Sequence, residues 1–599
     1  MKTLNLGILA HVDAGKTSLS ERLLFENCLI QTLGSVDKGN TQTDSLTLEK
    51  ERGITIQSAV VSFNLKNLKI NLIDTPGHAD FVAEVERTLN ILDAVILVIS
   101  AVEGIQSQTR ILTQVLKKLK IPTLIFINKI DRVGAKNSEL IAEIQAKLFP
   151  KIITLNKVNN IGTLVAKTIF LPIQTNLDKL KKEIGKMESC PLIFGSSITG
   201  AGISELISTL DNYFEPIEEK YNLPLAGVVF KIEINSKGQK TTYIRLFQGE
   251  LKTRQTISVI RIDQNGEQTN FVGKITKMQG FENGKVLETK TVKAPEIVKI
   301  WGLDLQIGDW LGESLEKKAD HFTKPNLEVV IRNKNPVETF KLHTALSKLS
   351  LQDPLISFQQ KQQNTFSLKL YGEVQQEIIQ AFLLQDYGLE VIFEKIQVIC
   401  IEKVVGIGTS FADKMDKDNF FEATIGLKIS PNLTDNGVIF DIGIGRGHLP
   451  VAFQKAIEET VYKTLEQGLY GWSITDCLVE ITTAGYWDAT SDGGDFRGLT
   501  PILLQKALKQ AGTEVYEPVN YFELEFLTTN LNPILSVLTK IGAKIDSIVE
   551  NLDNMTITGT ISVRQTFDLE KQIPALTSGK GLFLTKFSGY QKVLNTTKM

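Results

Sequence analysis

Lys16 and Thr17 close the run Ala10-His11-Val12-Asp13-Ala14-Gly15-Lys16-Thr17, which has phosphate-loop spacing with alanine at the first glycine position. Backbone N–H groups of such a loop and of the helix it opens cradle phosphate oxygens. The Lys16 ammonium is placed for the β- and γ-phosphates, and the Thr17 hydroxyl for Mg²⁺. Asn128-Lys129-Ile130-Asp131 follows an apolar strand pattern. A carboxylate at Asp131 can accept hydrogen bonds from N1–H and the 2-amino group of guanine. Adenine offers neither donor, and sites built on hydrogen bonding reject analogues that lack the partner by about 10⁴–10⁵. Gly195-Ser196-Ser197 is placed to offer backbone N–H to the guanine O6.

Asp74-Thr75-Pro76-Gly77-His78 supplies the next set. Asp74, at a strand end, can hold Mg²⁺ through a water, and the Gly77 N–H can meet the γ-phosphate. Loss of that phosphate would release the loop, which is a switch. Glu51-Arg52-Gly53-Ile54-Thr55-Ile56 offers a second switch, with Thr55 as a Mg²⁺ ligand. His78 is one of five histidines and directly follows the phosphate-sensing glycine. That position suits it to orient the attacking water, since phosphoryl transfer rests on positioning and electrostatics. Each motif alone has a plainer reading: a chance Gly-Lys-Thr, a polar loop, a strand threonine, a structural histidine. Their joint order selects GTP with Mg²⁺ and hydrolysis.

These residues need a parallel sheet to hold them. Over 1–215, short apolar strands (Leu4–Ala10, Lys69–Asp74, Ala94–Ile99, Thr123–Asn128, Leu192–Gly195) alternate with amphipathic stretches such as Gln106–Leu119 and Ser138–Phe149. That alternation predicts a sheet with helices on both faces. Residues 222–315 change to β-branched and aromatic segments between glycine-containing turns: Ala226–Glu233, Thr241–Leu251, Gln255–Ile262, Asn270–Met278 and Glu296–Trp301. They predict a β-barrel. Strand, helix, strand, strand, helix, strand over 325–398 predicts a ferredoxin-like fold, and the pattern returns over 520–592. Between them, 399–515 mixes strands with a long helix near Pro450–Gln467, an α+β segment. The fold class is thus multidomain α/β and α+β.

The bulk numbers agree. A chain of 599 residues exceeds the roughly 250–300 that one core serves. A net charge of −2 gives no global basic field for nucleic acid, which leaves local patches to carry any RNA contact. Four scattered cysteines without a CxxC pair point away from a disulfide or metal framework and toward a reduced, cytoplasmic setting. The start has no signal-peptide pattern. No apolar run reaches the roughly 18 residues of a membrane span.

AHVDAGKT, RGITI, DTPGHADF and NKID, in this order, resemble the translational GTPases of the elongation factor G type, and the five-part layout is similar along the whole chain. The tetracycline-resistance ribosomal protection proteins resemble it more closely. The shared stretches are Leu33-Gly34-Ser35-Val36-Asp37-Lys38-Gly39, Gln108-Thr109-Arg110-Ile111-Leu112, Glu466-Gln467-Gly468-Leu469-Tyr470-Gly471-Trp472, Thr475-Asp476-Cys477, Asp495-Phe496-Arg497 and Gly512-Thr513-Glu514. The resemblance implies a monomer that binds the bacterial ribosome and releases tetracycline from the small subunit. It also implies a fourth domain that reaches the decoding site, His78 catalysis completed by ribosomal RNA, and an apolar gate of Val12 and Ile54 beside His78. Two other readings stay open: an elongation-factor-G-like translocase or ribosome-rescue GTPase, and a nucleotide-regulated ribosome-binding protein with hydrolysis as a timer. A P-loop ATPase is disfavoured by Asp131.

Departures from the family fall mainly in the loop that approaches the drug. Here it reads Tyr486-Trp487-Asp488-Ala489-Thr490-Ser491-Asp492-Gly493-Gly494-Asp495, with no proline. Two glycines and no proline predict a loop that is floppier when free. Its carboxylates meet RNA phosphates badly, so contact falls to Tyr486, Trp487 or Phe496 stacking on bases, at roughly 1–3 kcal/mol per base; for Phe496, packing on its own sheet is the preferred reading. The family carries a helical extension beyond the tail Asn595-Thr596-Thr597-Lys598, where this chain stops at Met599. Ile198 stands where the family has a lysine. Arg446-Gly447-His448-Leu449, in a glycine-rich loop, is either an RNA-backbone contact or a turn before a helix.

Overall fold

A computed structural model describes every residue other than 1, 35–40, 42–47, 50–53, 66–67, 172–176, 215–219, 236–237, 263–267, 316–324, 363, 446, 552–553, 578–580 and 594–599. It divides into two units. One comprises Met1–Pro325 with Val329–Lys395, the other Asn326–Glu328 with Ile396–Met599. Among the described residues, no helix is long and apolar enough to cross a membrane.

The first unit begins with a seven-stranded sheet. Its order is Ala59–Leu65, Leu68–Asp74, Lys2–Ala10, Ala94–Ser100, Thr123–Asn128, Cys190–Phe194 and Ile152–Thr154. Every pairing is parallel except that of Ala59–Leu65. Ala94–Ser100 (AVILVIS) is buried along its whole length, as a strand covered on both faces must be. The helices Lys16–Glu26, Ser107–Leu119, Ser138–Lys147 and Ile203–Tyr213 close two apolar layers, one on each side of the sheet.

An eight-stranded antiparallel sheet follows, from Gln268–Lys274 at one edge to Lys285–Glu288 at the other. It curls about one core that includes Ile244, Leu251, Val259, Met278 and Val298. Two of the expected strands are each divided. Thr241–Leu251 becomes Lys240–Gln248 and Glu250–Lys252, broken at Gly249, where φ is 76°. Asn270–Met278 becomes Gln268–Lys274 and Lys277–Glu282.

Arg245 binds this fold to the parallel sheet. Its guanidinium is fully buried and pairs with Asp93 at 2.8 Å. It also donates to the carbonyls of Ile91, Leu246 and Pro295. Asp93 in turn accepts the backbone and side-chain N–H of Asn5 at 2.9 and 2.7 Å. Removing one member of such a pair strands the other without its counter-charge, at about 3–5 kcal/mol. Arg245→Met is therefore expected to lower the urea midpoint of the first unit by that equivalent; an unchanged unfolding curve would refute the account.

Strand Leu327–Asn333, helix Thr339–Gln352, strands Phe358–Gln362 and Thr365–Leu370, helix Glu373–Tyr387 and strand Val391–Phe393 come next. This is the expected ferredoxin-like order. Arg87, on the helix Val82–Leu89 of the first fold, ties to it through Asp353 at 2.8 Å.

In the second unit a four-stranded sheet has the order Gly408–Ala412, Ala423–Pro431, Cys477–Tyr486, Val438–Ile442. Two helices, Val451–Leu465 and Gly493–Ala511, share its core. The first matches the expected helix. The second corrects the sequence reading, which left 493–495 in a floppy loop. Asp492 accepts the N–H groups of Gly494 and Asp495 at 2.6 and 3.1 Å, and Asp495 accepts the Asp492 N–H at 2.9 Å. This reciprocal cap draws both glycines into the first helical turn. Phe496 is buried and stacks on Phe453 with centroids 4.7 Å apart, the packing preferred for it.

The last sheet is organised by one 15-residue strand, Thr513–Leu527. Its first part pairs with Ile401–Val404 and its later part with Asn554–Ser562, while Leu582–Lys592 runs along the other edge. Pairing on the first edge ends at Tyr516 and resumes at Val519. Pro518, which has no N–H to give, lies in that gap.

Candidate nucleotide site

The motifs converge because parallel strands deliver them to one edge. Lys2–Ala10, Leu68–Asp74, Thr123–Asn128 and Cys190–Phe194 all end there, and ligands in open α/β sheets lie outside the carboxyl ends of the strands. A cleft of about 560 Å³ opens at that edge. His11, Val12, Asp13, Gly15, Lys16, Thr17, Thr55, Gly77, His78, Asn128, Lys129 and Ser197 line it. Ala10, Ala14, Asp74, Asp131 and Ser196 are buried.

Gly15 caps the helix Lys16–Glu26 at φ 91°. A Cβ there would lie 2.3 Å from the Asn128 side-chain nitrogen, so both the backbone and the neighbour require glycine. Lys16 is buried and donates to Asp74 at 2.6 Å and to Thr55 at 3.0 Å. The Thr17 and Thr55 hydroxyls lie 3.2 Å apart. Two hard oxygen donors, from Asp74 and Thr55, thus meet a positive charge beside the phosphate loop, and a third, from Thr17, lies next to Thr55. This donor chemistry fits a divalent cation of the Mg²⁺ type, which takes oxygen ligands and keeps several from water and phosphate. Residues 51–53 of the second switch motif lie outside the described residues.

Asn128 lines the cleft and ties its walls together. Its side chain donates to the Ala14 carbonyl at 2.9 Å and accepts the Ser197 N–H at 2.9 Å. It staples the phosphate loop to the 195–197 turn. The N–H groups assigned to O6 are likewise engaged: Gly195 donates to Ile127, and Ser196 to Ala201. Arg22, absent from the sequence reading, steadies the same turn by donating to the carbonyls of Ser197 (2.8 Å) and Ile198. Lys129 holds Glu103 at 3.1 Å. Asp131 is buried, and its Oδ1 has no donor among the described residues. Such an orphan carboxylate oxygen is costly unless a ligand supplies the donor, and guanine supplies two. His11 also lies low in the cleft. Burial pulls its imidazole down to about 4, so the ring is neutral near pH 7.

His78 lines the cleft beside Val12 and Ile54. Its Nδ1 accepts the Asp80 N–H at 3.1 Å, which places the proton of the neutral ring on Nε2. Phe81 meets the ring edge-on at 6.2 Å. Burial raises the Asp80 carboxyl above its usual range, against the pull of His78 and of the Gln375 and Val374 N–H groups.

The Tyr486–Ser491 group belongs to the second unit. Tyr486 packs edge-on against Phe453, with centroids 5.7 Å apart, so its ring is engaged within its own fold. Trp487 is 43% exposed and lies under the Lys414 ammonium at 4.9 Å. Asp488, Ala489 and Thr490 form an exposed turn, and Ser491 donates to the Glu422 carbonyl. Arg446 lies outside the described residues, and His448 Nδ1 sits 3.2 Å from the Gly445 carbonyl.

Comparison with known proteins places the chain in a family. Residues 1–216 match the elongation factor Tu GTP binding domain. Residues 397–512 match elongation factor G domain IV, and 514–598 the elongation factor G C-terminus. The oxytetracycline resistance protein of Streptomyces rimosus is 39% identical, over 99% of this chain and 95% of that protein. Tetracycline resistance protein TetP of Clostridium perfringens is also 39% identical, with the same coverage. TetM of Streptomyces lividans is 35% identical over 98% and 96%. A solved structure from Thermus thermophilus has the same fold, with TM-score 0.64 and 20% identity over 99% of this chain and 97% of that one. With a GTP-binding domain of this type and full-length likeness to these relatives, the chain belongs to the tetracycline-resistance ribosomal protection proteins, a family of elongation-factor-G-like translational GTPases.

Proposed function

We propose that this protein is a ribosome-stimulated GTPase that binds the bacterial ribosome as a cytoplasmic monomer and releases tetracycline from it. The observation that carries the drug reading is the 39% identity, across 99% of the chain, to proteins named for tetracycline resistance. Five segments serve it: 1–215 for the nucleotide, 222–315 and 325–398 as its supports, 399–515 toward the decoding site and 520–592 as the C-terminal fold.

Lys16 and the N–H groups of the phosphate loop bind the β- and γ-phosphates, and Asp131 reads guanine. Thr17, Thr55 and, through water, Asp74 hold Mg²⁺, whose charge offsets that of the phosphate oxygens. His78, with its proton on Nε2, orients the attacking water, and Gly77 senses the γ-phosphate. Turnover is slow alone, roughly 10⁻⁴–10⁻² s⁻¹ for comparable GTPases, and rises by up to about 10⁵ with a partner.

The test is reporter translation in a reconstituted bacterial system stalled by tetracycline. Added protein with GTP is expected to restore synthesis, and a His78→Ala control is expected to fail. No recovery alongside intact ribosome-stimulated hydrolysis would overturn the drug reading and turn attention to translocation or rescue.

A further inference from the structure

Helix Glu373–Tyr387 lies almost 300 residues along the chain from the hydrolytic motif, yet it meets that motif directly. The Gln375 N–H donates to Asp80 Oδ2 at 3.1 Å. Gly372, the residue before the helix, has φ −172°, extended backbone that any residue adopts. Its need for glycine therefore comes from a neighbour: a Cβ there would lie 2.3 Å from both Asp80 carboxylate oxygens. Asp80 is no surface charge, with its side chain 12% exposed.

Around this contact the same helix closes a small apolar cluster. Ile378, Val374 and Ala381 pack with Phe81 from the His78 segment and with Ile54 and Ile56 from the Thr55 segment. Arg87 adds a second tie between the two folds, joining Glu84 at 2.6 Å and Asp353 at 2.8 Å. Both segments that flank the γ-phosphate position are thus seated on one helix of another fold.

We propose that Asp80 is a positioning residue for hydrolysis: it orients His78 through its backbone N–H and takes its own position from the start of the helix Glu373–Tyr387, where Gly372 leaves room for the carboxylate. The proposal rests on the catalytic reading of His78. It makes the ferredoxin-like fold of the first unit part of the hydrolytic machinery. A displacement of that fold is carried to His78 through one carboxylate.

Steady-state GTP hydrolysis by the full chain with bacterial ribosomes tests this, alongside GTP affinity. Gly372→Ala and Asp80→Ala are each expected to lower the ribosome-stimulated kcat about ten- to a hundredfold, the loss that follows a misplacement of about 1 Å. KM for ribosomes and GTP affinity should stay unchanged. The double variant should be no slower than Asp80→Ala, because the clash and its partner are one interaction. Asp80→Asn, which keeps an acceptor oxygen for Gln375, should recover most of the rate. Wild-type kcat in Gly372→Ala and Asp80→Ala with a dead His78→Ala would overturn the coupling alone. So would losses that multiply in the double variant, or a fall in GTP affinity that accounts for the lost rate. Wild-type kcat in His78→Ala would overturn the catalytic reading and the coupling together.

Discussion

Replacing Asp131 by asparagine is expected to lower GTP affinity by about 10⁴-fold and to admit xanthosine triphosphate in its place. The size follows from what sites built on hydrogen bonding lose when a partner is mismatched. Asp131 offers oxygens, and one of them has no donor among the described residues. Guanine brings two donors to that position, N1–H and the 2-amino group. An asparagine amide would set its own N–H₂ against one of them, while xanthine, with a carbonyl at C2, accepts it. Equilibrium titration with fluorescent GTP and its xanthine analogue reads both halves. Unchanged GTP affinity in Asp131→Asn would mean that the carboxylate does not read the base.

His78→Ala is expected to lower ribosome-stimulated hydrolysis by about 10³-fold, within the range of a positioned proton-handling group and of the partner-dependent gain of such GTPases. GTP affinity should hold, since Lys16 and Asp131 are untouched. The slow rate without ribosomes should change little, because in the proposed mechanism the ribosome completes the site around His78. Single-turnover hydrolysis at saturating ribosomes separates these terms. Equal stimulated rates in wild type and variant would assign water positioning elsewhere.

Much of the nucleotide site was legible because its motifs are local. The phosphate-loop run, the strand-end Asp74 and the NKID run each sit within a few residues, and a parallel sheet brings strand ends together without further instruction. The partners those residues take were hidden. Asn128 reads in sequence only as part of the nucleotide motif, yet its amide reaches Ala14, 114 residues away. Arg22 resembles any helical arginine until its contact with the 195–197 turn is known. Asp80 depends on Gln375, 295 residues distant, and spacing cannot report that.

The helix Gly493–Ala511 was obscured for another reason. Gly493, Gly494 and Pro501 are helix breakers on an intrinsic scale, and the long apolar face buried against the four-stranded sheet outweighs them. A signal was available: Asp492 and Asp495, three apart and just before an apolar run, have the spacing of a capping box. One of the two divided barrel strands was missed at Gly249, where φ is 76° and a strand-like pattern continues across the turn.

The strand Thr513–Leu527 has a consequence for how the second unit bears load. Thr513–Tyr516 is bonded into one set of strands and Val519–Leu527 into another, while Leu582–Lys592 spans both parts as a splint. The joint therefore resembles a continuous beam instead of a hinge. A push on one end of this strand travels along covalent backbone and a ladder of hydrogen bonds.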